Sequence, residues 1–319
     1  MRGTPRELAR SACLALALTG LTALAGCSGS PRAAEPTPSA LPTVAPSSAS
    51  PSPTPSPAAM PEARATVIGV IGDWGVKDPA LGDVIRLMGG FNGGRPLDAV
   101  VTTGDNAYVT GTSAEAAYAR RQLTPLLRRG TRLYASLGNH DEYTLGGRPV
   151  MRAFGIKARW YTAVVGPVQL VVLDANRTDD PAQLAFIKRT LAAPRPVPYR
   201  VLVFHQPVGS CSYHGPEPGV VKNWLPLFGG RVDLVLNGHN HTYERFTGPA
   251  GTPYVTTGGG GARLYPSARI ACRGPVKVSF LDTVYHAVRL TATPQRLVVE
   301  AIGLDGTAFD SVTVYPRRR

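Results

Sequence analysis

The chain has 319 residues, 43 % of them hydrophobic, which is enough to bury one large core or two small ones. Four cysteines are too few for a disulfide scaffold. The formal net charge of +13 favours anionic partners in general and selects none among phosphate esters, envelope polymers, lipid head groups and nucleic acid.

Residues 1–26 read as a secretory signal. Arg2, Arg6 and Arg10 form a positive start, and the apolar run "ACLALALTGLTAL" is short for a bilayer span. Leu24-Ala25-Gly26-Cys27 resembles a bacterial lipobox, which implies cleavage before Cys27 and a lipid anchor on its sulfur. The plainer alternative is an ordinary signal with a chance cysteine. Residues 27–63 are almost entirely Pro, Ser, Ala and Thr, lack apolar periodicity and read as a disordered, semi-stiff tether. The remaining domain, 64–319, keeps 30 basic and 18 acidic residues. Cys13 leaves with the signal and Cys27 takes the anchor. Cys211 and Cys272 remain, as a disulfide in an oxidising compartment or as two buried thiols.

Past residue 64, apolar runs alternate with helical patterns. "TVIGVIGD" (66–73) reads as a buried strand, "DPALGDVIRLMGGF" (78–91) as a helix and "DAVVTTGD" (98–105) as the next strand. A helix is expected over 113–130 with Ser113 as its cap, then a strand and turn over 132–141. Further strands are expected over 168–176, 199–207 and 232–241, with a helix over 181–193. Residues 276–315 change to alternating strands with turns at Thr293-Pro294 and Asp305-Gly306, as hairpins flanking the core. Near-continuous apolar strands between helices imply an α/β fold with largely parallel sheets covered on both faces. No phosphate-binding P-loop is present, and "GGGGA" (258–262) lacks the rest of a dinucleotide fingerprint.

Five strands end in chemically loaded turns: Gly72-Asp73-Trp74-Gly75, Gly104-Asp105-Asn106-Ala107-Tyr108, Gly138-Asn139-His140-Asp141, His205-Gln206-Pro207 and Gly238-His239-Asn240-His241. Ligands of open α/β sheets bind at the carboxyl ends of strands. Each residue alone has an ordinary reading. Asp73 and Asp105 can form turns, Tyr108 can pack in a core, Asn139 can take a left-handed turn and His205 can be a satisfied buried histidine. Together they make an oxygen and nitrogen donor set suited to iron, zinc or manganese.

The ordered pattern D-x-G, GD-x-x-Y, GNH-D, H and GH-x-H resembles the calcineurin-like metallophosphoesterases over roughly residues 66–247. More narrowly it resembles the purple acid phosphatases. Many relatives carry D-x-H in the first block. Here Gly75 takes that histidine's place, and Tyr108 matches the tyrosine that replaces it as a ligand in purple acid phosphatases. One departure is apolar for apolar: Leu202 stands at the valine of the usual V-x-x-H.

The resemblance implies a two-sheet sandwich flanked by helices, with C-terminal hairpins. It implies two metal ions, Fe(III) with Fe(II), Zn(II) or Mn(II). Asp73, Asp105, Tyr108 and His241 would hold the first, and Asp105, Asn139, His205 and His239 the second. Hydrolysis of small phosphomonoesters by a metal-bound hydroxide follows, with His140 and His214 protonating the leaving oxygen or holding the phosphate. Alternatives are a phosphodiesterase acting on nucleotides or phospholipid head groups, and a non-catalytic surface protein that binds anionic envelope polymers. The first block and the expected export argue against a nucleic-acid partner. Outside this set, Trp74 is expected to pack beside the first ligand, Asp174 to support a turn and His286 to be structural. Arg245 is expected to face phosphate or serve structure, and the tail Arg317-Arg318-Arg319 to be solvated.

Overall fold

The computed structural model describes residues 64–127 and 130–317. The expected signal, lipobox and tether lie outside the described residues, as do Arg318 and Arg319. Strands β1 (Thr66–Ile71), β2 (Ala99–Thr102) and β3 (Arg132–Ala135) pair in parallel. The next seven build a second sheet: β4 (Tyr161–Val165), β5 (Val168–Val172), β6 (Tyr199–Val203), β7 (Leu234–Asn237), β8 (Tyr243–Thr247), β9 (Pro253–Thr257) and β10 (Lys277–Asp282). Their spatial order is β10-β8-β9-β7-β6-β5-β4. The last three, β11 (His286–Ala292), β12 (Leu297–Gly303) and β13 (Ala308–Val314), return to the first sheet in the order β13-β12-β11-β1-β2-β3.

The second sheet is parallel at its centre, β9-β7-β6-β5, with antiparallel strands on both sides, whereas the first sheet is parallel over β1-β2-β3 and antiparallel over the other half. The expected C-terminal hairpins are present, β11 with β12 and β12 with β13, turning at Thr293 and around Asp305-Gly306. They extend the first sheet, where β11 joins β1 with Val70 opposite Val288, while β10 pairs with β8 in the other sheet. Every position of β2, β5, β6, β7 and β9 is buried. Ile68, Val70 and Val101 of the first sheet pack in one core with Val172, Val201 and Leu236 of the second. Each fully buried side chain of this size contributes about 1.5–3 kcal/mol.

Seven α-helical segments are described: α1 (Pro79–Gly90), α2 (Ser113–Gln122), α3 (Thr124–Leu127), α4 (Asn139–Glu142), α5 (Arg148–Phe154), α6 (Pro181–Ala192) and α7 (Leu225–Phe228). The Asp78 side chain caps α1, accepting the Ala80 N–H at 2.9 Å. Leu81, Val84, Ile85 and Met88 form its buried stripe over the first sheet. The helix expected over 113–130 is shorter and capped differently. Thr112, not Ser113, is the cap, in a capping box with Glu115. The helix stops at Gln122 and a separate turn, α3, follows. Pro125 has no N–H with which to continue the ladder.

Candidate metal centre

The carboxyl ends of β1, β2, β3, β6 and β7 meet at one edge of the sandwich. Main-chain bonds stitch their loops, from Asp73 N to Gly104 O at 3.3 Å and from Gly238 N to His205 O at 3.0 Å. All seven expected ligands converge there. The Tyr108 hydroxyl donates to Asp105 Oδ2 at 2.8 Å and lies 3.1 Å from His241 Nε2 and 3.4 Å from Asp73 Oδ1. His241 Nε2 is 3.5 Å from Asp73 Oδ1. On the other side, His205 Nε2 lies 3.3 Å from Asp105 Oδ2 and 3.2 Å from Asn139 Oδ1. His239 Nδ1 is 3.0 Å from the same Asn139 oxygen. The Asp105 carboxylate therefore touches both groups.

The backbone is strained where it delivers these donors. Asp73, Asp105 and His239 have φ of 55°, 48° and 75°, a left-handed region that side-chain-bearing residues seldom occupy. Two glycines make the close approach possible. A Cβ on Gly138 would lie 2.1 Å from Asp105 Oδ1. A Cβ on Gly75 would lie 2.0 Å from the Asn106 carbonyl oxygen, so no side chain fits at 75 while that loop keeps its path.

Asn106 and Asp141 hold the loops together, and the sequence reading assigned neither a role. Buried Asp141 accepts N–H groups from Asn106 at 2.9 Å, Ala107 at 3.0 Å and Gly138 at 2.8 Å, and the Asn106 side-chain amide at 2.8 Å. One carboxylate thus ties the Asp105 loop to the Asn139 loop. Burial, and after it the Asp105 charge, push its carboxyl up to about 7. The Asn106 side chain also donates to Ser136 O and accepts from Thr102 Oγ1 and Trp74 Nε1. The only sequence signal was their presence in the same turns as the ligands.

The donor chemistry fits cations. His205 gives its Nδ1 hydrogen to Thr103 O at 2.9 Å, and His241 gives its own to Arg263 O at 2.8 Å. Each ring then turns an Nε2 lone pair inward, the arrangement that orients metal-binding histidines. Burial first, and neighbouring positive charge after it, lower the His239 pKa to about 2 and help lower that of His241 to about 4, which keeps both rings neutral. Lone pairs and carboxylate oxygens face one another at hydrogen-bonding distance, which repels unless positive charge lies among them. The same demand shows in His205. Burial opposes its imidazolium, yet the charges of Asp105 and Asp73 push its pKa up to about 9. Donor atoms of Asp73, Asp105 and His241 all lie within 4.8 Å of one another, a spacing one ion can bridge.

The two further histidines stand at the rim. The His140 ring lies 4.3 Å from the Tyr108 ring and its Nδ1 is 2.7 Å from Val109 O. The His214 ring lies 4.1 Å from that of His239, and its backbone N–H is held by Asn240 Oδ1 at 2.9 Å. Cys211 is joined to Cys272, pinning the His214 loop to the segment after Tyr265.

The remaining singled-out residues support structure. Buried Trp74 meets Phe154 edge-on, and Asp174 caps a short turn and pairs with Arg159. Arg245 is engaged by both oxygens of Asp310. Buried His286 bonds Thr257. Arg317 is not a solvated tail residue, because it bonds Ala250 O and pairs with Asp233.

Comparison with known proteins places the chain in a family. The calcineurin-like phosphoesterase family matches residues 66–243, more than half of the chain. Purple acid phosphatase 3 of Arabidopsis thaliana is 23 % identical over 252 residues, covering 66 % of this chain and 67 % of its own length. Tartrate-resistant acid phosphatase type 5 of Rattus norvegicus is 26 % identical over 255 residues, covering 62 % of this chain and 73 % of its own. The structure of purple acid phosphatase PPD1 from yellow lupin seeds superposes with a TM-score of 0.69 at 21 % identity, over 79 % of this chain and 54 % of that one, so this chain spans about half of the lupin protein. The chain belongs to the calcineurin-like phosphoesterase family, and its curated relatives are purple acid phosphatases.

Proposed function

We propose that the protein is an exported acid phosphatase, anchored by lipid on Cys27 and carried on the 27–63 tether, that hydrolyses small phosphomonoesters at a binuclear centre in domain 64–319. The observation that carries the reading is the Asp105 carboxylate, which touches both donor groups at once. Asp73, Asp105, Tyr108 and His241 would hold one ion, and Asp105, Asn139, His205 and His239 the other. When bound, two such cations clamp a phosphoryl group and lower the pKa of water beside it. The phenol of Tyr108 suits Fe(III), a hard ion, with Fe(II), Zn(II) or Mn(II) as the second.

The protein's own groups do the rest. Thr103 and Arg263 carbonyls keep the His205 and His241 rings aimed inward. His140, held at Nδ1 by Val109 O, keeps Nε2 free to protonate the leaving oxygen. Half-buried His214 binds the phosphate from the other rim.

The test is a visible absorption spectrum with metal analysis on the same purified sample. A pink or purple band that disappears in Tyr108→Phe supports the phenol on Fe(III). A colourless protein with two zinc or manganese ions keeps the phosphoesterase and removes iron and the Tyr108 role. Protein that takes up no metal on reconstitution refutes the enzyme reading in favour of a binding protein.

A further inference from the structure

The surface around the centre turns apolar and aromatic where a charged phosphate must enter. Among the described residues, Val109, Tyr143, Leu145 and Tyr213 are large hydrophobic side chains left exposed, Tyr143 at 63 % and Tyr213 at 73 %. They sit on the loops that carry Tyr108, His140 and His214. Tyr143 meets the His140 ring edge-on at 5.4 Å, and His140 leans on Tyr108. On the other rim, Tyr265 stacks on His241 at 4.0 Å with 12° between planes, and Tyr213 lies 5.5 Å from Tyr265. Aromatic rings therefore run from the donor atoms out to solvent on both sides.

The Tyr213 rim is also preorganised. The Cys211–Cys272 bond fixes its loop, the Arg273 guanidinium donates to Ser212 O at 2.7 Å, and Asn240 holds Ser210 Oγ at 2.9 Å. An exposed tyrosine on a braced loop offers a flat face at little ordering cost. A braced phenol beside a phosphate site is suited to stacking.

We infer that the alcohol part of the substrate carries a flat aromatic ring, and that Tyr213, backed by Tyr265, is the face on which it stacks. This rests on the phosphomonoesterase reading above. The ring could belong to a nucleoside or to a simple aryl-bearing alcohol. Both present the same π-face beside the same phosphate.

The experiment measures kcat/KM of the metal-loaded full chain on two matched pairs. One pair is adenosine monophosphate and ribose phosphate esterified at the same hydroxyl. The other is phenethyl phosphate and cyclohexylethyl phosphate. Each pair shares its scissile bond and differs in the ring. Stacking on an aromatic side chain predicts a preference for the ring-bearing member of roughly 5-fold to 150-fold. The pair with the larger ratio identifies the source of the ring. The ratio should fall toward one in Tyr213→Ala and survive in Tyr213→Phe. A merely structural Tyr213 lowers both members together and leaves the ratio unchanged, which overturns the inference. Equal rates within both pairs would also overturn it, since the aromatic ring would then add nothing. A flat ratio with brisk turnover sinks this inference alone. A metal-loaded protein that cleaves none of the four sinks the phosphomonoesterase reading with it.

Discussion

Replacing Asp141 by alanine is expected to loosen both ligand loops at once. Its carboxylate accepts four N–H groups, and one of them, the Asn106 side-chain amide, also reaches Ser136 O. The main-chain N–H groups of Asn106, Ala107 and Gly138 would lose the acceptor that Asp141 provides. A buried donor without its partner costs about 1–3 kcal/mol. Water entering the vacated space recovers part of that loss. So does relief of the carboxyl's own burial cost, seen in its upward shift to about 7. The net expectation is a loss of about 3 kcal/mol, large against a total domain stability of about 5–15 kcal/mol. The assay is urea unfolding followed by fluorescence of buried Trp74 and Trp224, repeated in excess chelator, with metal content on the same samples. The loss should persist under chelation, because the hydrogen bonds do not depend on an ion. Asp141→Asn, which keeps one acceptor oxygen, should fall between parent and alanine. A variant within about 1 kcal/mol of the parent that retains its metals would refute the claim that this carboxylate holds the loops.

Two further outcomes are expected. The Cys211–Cys272 bond spans 61 residues, and chain-entropy arguments assign such a closure about 4 kcal/mol. Cys272→Ser should lower the unfolding midpoint and raise KM through the His214 loop, and an unchanged midpoint would show that the bond constrains nothing. The imidazole of His286 is held down to about 4 by burial, against an ordinary value of 6.5. As pH falls from 6.5 toward 4, the unfolded chain takes a proton that the folded chain refuses. Stability is then lost across that window, by about 3 kcal/mol in all. Urea midpoints measured against pH should show that acid limb, flattened in His286→Gln.

The loops that bring the candidate donors together were legible because each follows an apolar strand and breaks it with a donor residue, in four of the five after a glycine. Less visible were β4, β8 and β9. Tyr161–Val165 is a partly exposed edge strand beside β5, without the continuously buried apolar run that marked β2 and β5. Tyr243–Thr247 carries Glu244 and Arg245, charges that a strand reading discourages. Arg245 is tolerated there because Asp310 comes from a strand 65 residues away. Pro253 opens β9, where its missing N–H argues against a central strand. Thr112 and Glu115 spelled a capping box that the choice of Ser113 overlooked. The roles of Thr103 and Arg263 were invisible for a different reason. Each contributes a main-chain carbonyl, and a carbonyl leaves no trace in residue type.

The contact between Gly75 and Asn106 bears on how such centres can be exchanged. Imidazole at position 75 and phenol at position 108 are not two spellings of one socket. The Asn106 carbonyl already occupies the volume the first would need, and Trp74, Thr102, Ser136 and Asp141 all grip the Asn106 side chain. Trading one donor for the other requires re-threading the whole turn. With this backbone, a point substitution can delete the Tyr108 donor but has no room to set an imidazole at position 75 in its place.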